Sequence, residues 1–298
     1  MTPSADNAKG AGLMMASMAA FTINDAFVKA AGAALPLGQI LLLRGAISIC
    51  ALVMLARMLG ALRAVPRRDA ALIALRSLAE VGAAYFFLTA LLALPIANVT
   101  AILQTLPLTV TLGAALFFGE EVGWRRWAAI GVGFCGMLLI VRPGTEDFTA
   151  ASVYVLIAVL FVTVRDLTTR RMSAGVPSLL VTLSAAVAVT LFASGLTLVQ
   201  GWQPLSVGTG GLVLGSAIFV SAGYFLSVAV MRVGDISAVA PFRFTGLLWA
   251  LALGLIVFGE WPEPLTFAGA ALVVGAGVFT LRRERRLGAK RARRGVPR

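Results

Sequence analysis

The sequence predicts an all-α integral membrane protein. Ten transmembrane helices form two inverted five-helix repeats, with both termini on the cytoplasmic side. Three observations carry that expectation: the apolar fraction, the alternation of basic loops, and a repeat at a fixed offset. Of 298 residues, 59% are hydrophobic and 13% charged, and the mean hydropathy is +0.94. Soluble domains average roughly 45–50% apolar and 25% charged, so a soluble monomer of this composition would expose too much apolar surface.

A helix needs about 20 apolar residues to span the hydrocarbon core. Apolar runs bounded by charge, Pro or Gly lie near residues 10–31, 36–57, 69–93, 96–118 and 124–141. Five more lie near 149–171, 176–199, 209–231, 236–258 and 264–281. The first run, Gly10 to Ala31, is too long for the core of a cleavable signal and reads as the first span. Connections as short as Leu94-Pro95 and Trp261-Pro262-Glu263-Pro264 force antiparallel neighbours.

Basic residues concentrate in alternate loops, as the positive-inside rule requires. With a cytoplasmic N-terminus, Lys9, Arg57, Arg63, Arg67, Arg68, Arg125, Arg126, Arg170, Arg171 and Arg232 all lie inside. The opposite loops hold little beyond Lys29 and Arg142. Trp124 and Trp127 then fall at the inner interface and Trp202 and Trp261 at the outer one, where amphipathic rings settle.

The net charge is +12, and the tail from Arg282 to Arg298 supplies +8 of it, with nine Lys/Arg against Glu284. A polybasic segment directly after a membrane helix is drawn to anionic headgroups, so the charge indicates the lipid bilayer as partner, not nucleic acid. The chain has no histidine, which removes the commonest metal ligand and general base; no metal and no cofactor are expected. Cys50 and Cys135 lie in apolar runs, where small buried thiols pack well and a disulfide is not expected.

Phe118-Gly119-Glu120 recurs as Phe258-Gly259-Glu260, 140 residues on. At an offset of 141, Thr22-x-x-Asp25-x-x-x-Lys29 matches Thr163-x-x-Asp166-x-x-x-Arg170, and Pro36 matches Pro177. Residues 1–145 thus form one repeat, spans one to five, residues 146–281 the second, and residues 282–298 a basic cytoplasmic tail. A unit with an odd number of spans enters its second copy from the opposite side, so the repeats are inverted. A pseudo-two-fold axis then lies in the membrane plane.

Ten spans in two inverted units, each with Phe-Gly-Glu closing its fourth span, resemble the EamA-type members of the drug/metabolite transporter superfamily, most of all bacterial exporters of amino acids, aromatic ones included. The resemblance implies secondary active export by alternating access across the bacterial inner membrane. It further implies a central cavity walled by the first four spans of each repeat. The alternatives are a multidrug or cationic-compound exporter and, with no supporting constellation of nucleophile, base or metal, a membrane-embedded enzyme. Asp25 stands in the first span where the related four-helix multidrug transporters use glutamate.

Ionisable groups inside a span, here Asp25, Lys29, Arg44, Arg76, Glu80, Arg165, Asp166 and Arg243, are functional candidates because each is costly unless paired or wet. Asp25 with Lys29, and Asp166 with Arg170, are spaced i,i+4 to neutralise each other, and their presence in both copies suits a gating or coupling role. Glu80, in the middle of the third span, either pairs with Arg76 or binds a substrate ammonium or coupling proton. It aligns with Val220, Arg76 with Ser216 and Ala84 with Tyr224, so the repeats are chemically unequal there. On that reasoning Ser216, Tyr224 and Ser227 face the same cavity. Arg44 and Arg243 are asymmetric guanidinium forks that suit a carboxylate or Glu80 itself. Gln104 adds a neutral partner in the fourth span. Pro107 and Pro241 interrupt corresponding spans and mark a hinge or binding site. Trp249 is expected to face lipid or pack. The rows Ala128-x-x-Gly131-x-x-x-Cys135 and Ala268-x-x-Ala271-x-x-x-Gly275 are expected to pack the fifth and tenth spans together, in a monomer or at a homo-oligomeric contact.

Overall fold

The computed structural model describes residues 3–62, 64–119, 123–145, 148–173, 175–230 and 239–293. Arg63, Glu120, Arg232 and the end of the tail lie outside them. The helices are α1 (Pro3–Ala31), α2 (Leu37–Met58), α3 (Arg67–Ala93), α4 (Ile96–Leu103), α5 (Leu106–Phe118) and α6 (Trp124–Val141). In the second half come α7 (Ala150–Arg170), α8 (Ser178–Gln200), α9 (Val207–Val230), the 3-10 turn η1 (Ala240–Phe244), α10 (Thr245–Phe258) and α11 (Pro264–Arg293). Among the described residues there is no strand. Nine candidate spans there are long and apolar enough to cross a membrane, and a tenth apolar stretch, Pro264–Thr280, is shorter. They coincide with the ten predicted runs.

Local chemistry sets the ends. Pro36, Pro66, Pro95 and Pro177 stand immediately before α2, α3, α4 and α8, where a missing N–H removes nothing from the helix ladder. The recurring Phe-Gly-Glu triplet has a backbone reason. Gly119 and Gly259 both adopt φ 65°, the left-handed conformation that ends α5 and α10 at the lowest steric cost.

Helices of the first half pack on helices of the second: α1 on α9, α2 on α8, α3 on α7 and α6 on α11. Secondary contacts join α3 to α8 and α2 to α9, and α1 to α10 and α5 to α7. Exchanging the halves leaves this pairing pattern unchanged. One core gathers Val28, Ile40, Leu41, Leu91 and Ile96; another gathers Val99, Ile102, Val155, Leu247 and Val273.

The fourth and ninth crossings are both interrupted. Gln104 and Thr105 separate α4 from α5, while η1 gives way to α10 after Phe244. Phe244 stands 140 residues after Gln104, so the change of helical form falls at the same point of each half although Pro107 and Pro241 do not align.

The structure corrects two packing expectations. Ala128, Gly131, Cys135, Ala268, Ala271 and Gly275 all face outward, and α6 meets α11 through the neighbouring row instead. A Cβ on Gly136 would lie 2.7 Å from the Gly269 carbonyl oxygen, and one on Gly269 2.5 Å from that of Gly136. The two rows are one helical step apart, and nothing in the apolar pattern told them apart. Cys50 and Cys135 are free and exposed on helix exteriors, not buried. Trp249 is exposed, as are Trp124, Trp127, Trp202 and Trp261.

Candidate functional site

Two polar clusters lie inside the bundle, where apolar helices leave few other partners for charge. In the first, Asn24 and Asp25 on α1 meet Arg44 on α2 and Ser216 on α9. Ser216 Oγ donates to Asn24 Oδ1 at 2.7 Å, and Arg44 Nη1 donates to the same oxygen at 3.2 Å. Asn24 Nδ2 donates to Asp25 Oδ1 at 2.9 Å.

The second cluster joins α3 to α7. Arg165 Nη1 lies 3.4 Å from both carboxylate oxygens of Glu80, and its Nε donates to Asp166 Oδ1 at 2.9 Å. Arg76 approaches Glu80 only to 3.8 Å and donates from Nε to Thr169 Oγ1 at 3.1 Å. The expected Arg76–Glu80 pair therefore exists but is the looser of two, and Glu80 is already occupied by two guanidiniums. Tyr224 on α9 is near enough to interact electrostatically with Glu80, Arg165, Arg44 and Arg76, so it stands between the clusters. Its ring sits edge-on to Phe21, with centroids 5.4 Å apart. Ser227, expected beside it, instead shares a 2.8 Å hydrogen bond with Ser17.

Arg243 projects from η1 and is exposed, with Asp166 and Arg165 as its electrostatic neighbours. Among the described residues it forms no hydrogen bond or ion pair. Gln104, at the α4–α5 interruption, directs its amide nitrogen toward Gly246 at the start of α10, 3.7 Å from where a Cβ would stand. Pro107 opens α5, and its carbonyl accepts from Thr111 Oγ1 at 2.7 Å. Pro241 lines an apolar groove of about 430 Å³ between η1, α10 and α11, with Phe242, Leu248 and Phe267.

The i,i+4 pairing expected of Lys29 is replaced by a longer reach. Lys29 Nζ lies 2.9 Å from Glu260 Oε1 and donates to the carbonyls of Leu91, at 3.2 Å, and Leu94. Glu260 Oε2 accepts from the Ile96 N–H at 3.0 Å. One ion pair thus ties α1, the α3–α4 turn and the end of α10. Asp166 likewise bonds Arg165 beside it on the helix. At the end of α7, the Arg171 guanidinium lies 4.5 Å from the centre of the Phe118 ring, as Lys29 lies 5.5 Å from that of Phe258.

The clusters thus bring together Arg44, Glu80, Tyr224 and Asp25, with Arg243 adjoining through Asp166. Asn24 was missed because a neutral amide raises no alarm beside a charged neighbour; Arg165 counted among the ionisable candidates, but its pairing with Glu80 was not foreseen because that partner comes from another helix. A polar side chain within an apolar span was the available signal for Asn24. Among the described residues, no group of three His, Cys, Asp or Glu could hold a metal ion. Hydrogen-bond donors and charges of both signs, reached from both halves, can bind a small polar molecule.

Residues 8–142 match the EamA-like transporter family. The matched segment runs from Ala8, within α1, to Arg142, just after α6. A riboflavin transporter of Rhizobium johnstonii is 32% identical over 66% of this chain and 65% of its own length. An S-adenosylmethionine uptake transporter of Rickettsia prowazekii is 27% identical over 64% and 65%. This chain thus spans 65% of the length of each of these two relatives. The pseudopaline exporter CntI of Pseudomonas aeruginosa is 26% identical over 89% of this chain and 94% of its own. A crystal structure at 16% identity superposes with a TM-score of 0.66 over 94% of this chain and 99% of that one, which shows a shared fold. None of the three named relatives is described as moving amino acids.

Proposed function

We propose that the chain is a secondary active transporter that moves small polar metabolites across the cytoplasmic membrane by alternating access between inverted halves, residues 1–145 and 146–281. The observation that carries this reading is the pair of polar clusters inside an apolar bundle. Ionisable groups there are rare and costly, and they mark substrate or ion pathways by default. The EamA-like match of the first half and the three transporter relatives support the same reading.

The self-exchanging helix pairing, the two left-handed glycines and the matched interruptions support the inverted repeat. Such a fold has two mirror-related states, one open to each side. In this reading the substrate lies between the halves, with a carboxylate at Arg44 or Arg243, beside Glu80 and its guanidiniums, and neutral hydrogen bonds from Gln104 and Tyr224. Asp25, Lys29, Asp166 and Arg170 gate or couple the change of state, and it hinges at Pro107 and Pro241. Both termini are cytoplasmic, which the distribution of basic loops supports. Amino acids, aromatic ones included, are the proposed cargo, and export the proposed direction.

Efflux from proteoliposomes loaded with single amino acids, with and without a proton gradient, tests the proposal. At least one amino acid is expected to leave faster than from empty-membrane controls. Movement of cationic dyes with no amino acid moving would transfer the assignment to a multidrug exporter.

A further inference from the structure

We propose that Asn24 is a positioning residue that holds Asp25 and Arg44 apart, leaving each to receive one charge of a zwitterionic substrate. The proposal rests on the transporter reading and deepens it, because it couples Asp25 to the change of state through direct contact with the substrate's ammonium.

Asn24 is buried to 4% exposure. Its carbonyl oxygen takes two donors, Arg44 Nη1 and Ser216 Oγ, which fixes the amide so that Nδ2 points at Asp25. Asp25 and Arg44 are near enough to attract each other, yet no ion pair closes between them; the amide stands in the path. A guanidinium carries five N–H donors and an ionised carboxylate about four acceptor sites. Each of these side chains spends one on Asn24, and among the described residues no other hydrogen bond engages them. Both are half-buried, so the remaining groups border open space and not packed protein.

Opposite charges inside a span gain most by pairing directly. Keeping them separate makes sense when a third body completes both. A molecule carrying an ammonium and a carboxylate does so, and either group alone leaves one protein charge unmet. Glu80 is the less suited acceptor for the ammonium, since Arg165 and Arg76 already hold it.

The test uses the full chain in detergent and measures the ligand-induced shift in melting temperature with three probes of one skeleton. These are L-phenylalanine, phenethylamine, which lacks the carboxylate, and 3-phenylpropionate, which lacks the ammonium. The wild type is expected to bind L-phenylalanine at least about tenfold tighter than either fragment. Asn24→Ala lets Asp25 and Arg44 collapse onto each other and loses that preference while still melting cooperatively. Asp25→Asn binds L-phenylalanine and 3-phenylpropionate equally, and Arg44→Gln binds L-phenylalanine and phenethylamine equally. These two variants decide the matter if Asn24→Ala does not fold.

Equal binding of all three probes by the wild type, binding of none, or loss of all three by one common factor in the variants overturns the proposal. Flux of L-phenylalanine through vesicles without that preference sinks this inference alone. Preference without flux of any amino acid sinks the transporter reading instead.

Discussion

Lys29 and Glu260 form an ion pair at 2.9 Å that joins the end of α1 to the end of α10, with each ammonium hydrogen provided with an acceptor. The pair is largely enclosed, at 12% and 21% side-chain exposure. In the proposed transporter it is a latch holding one end of the bundle shut. A double-mutant cycle of Lys29→Met and Glu260→Gln, read by thermal melting, should return a coupling of about 0.5–3 kcal/mol. Glu260→Gln should also speed alkylation of a cysteine introduced at Leu94, in a background lacking Cys50 and Cys135. No coupling and an unchanged labelling rate would reduce the pair to ornament on the surface of the fold.

Glu80 holds Arg165 across the α3–α7 interface, so neutralising it leaves a guanidinium short of a partner. Glu80→Gln is expected to lower stability by about 1–3 kcal/mol, the cost of an unmet buried polar group. Transport should be lost as well. The check is melting of the purified variant beside its flux in vesicles, and wild-type values for both would contradict the interhelical role.

Arg243 makes the opposite case. With no hydrogen bond to another described residue, Arg243→Gln should leave stability within about 0.5 kcal/mol while raising the apparent KM for a carboxylate-bearing substrate about tenfold. Concentration-dependent flux separates the two effects. A destabilised variant with unchanged KM would make Arg243 a structural residue.

Gly269 faces the Gly136 carbonyl across the α6–α11 contact. Gly269→Ala inserts a methyl group where backbone meets backbone and should cost about 1–3 kcal/mol by overpacking. Gly275→Ala, with open space at its Cβ, should cost almost nothing. Equal melting temperatures would place the contact elsewhere.

Hydropathy was enough to find the spans, because length and apolarity are set by the bilayer and not by the neighbours of each helix. The span ends at Phe-Gly-Glu were legible for a similar reason: stopping a helix is a local demand, which Gly119 and Gly259 meet in the left-handed conformation. Pairings were not. Lys29 reads as Asp25's partner by spacing alone, but side chains four apart meet only when nothing better lies across the interface, and Glu260 does. The same holds for Glu80, whose nearer guanidinium comes from α7. Asn24 could be noticed as a polar residue in a span, but its role was not legible because it lies in where the two amide ends point, a property fixed by Arg44 and Ser216 on other helices. The packing row of α6 was misread because two rows of small residues run side by side, and only the angle of α11 selects between them.

The most direct test is counterflow. Vesicles containing the purified chain are loaded with millimolar unlabelled L-phenylalanine and diluted into tracer L-phenylalanine with no ion or proton gradient. An alternating-access carrier should accumulate tracer transiently above its equilibrium level, and Arg44→Gln should abolish the overshoot. Monotonic equilibration without overshoot, or no entry for L-phenylalanine or any other amino acid tried the same way, would contradict the account.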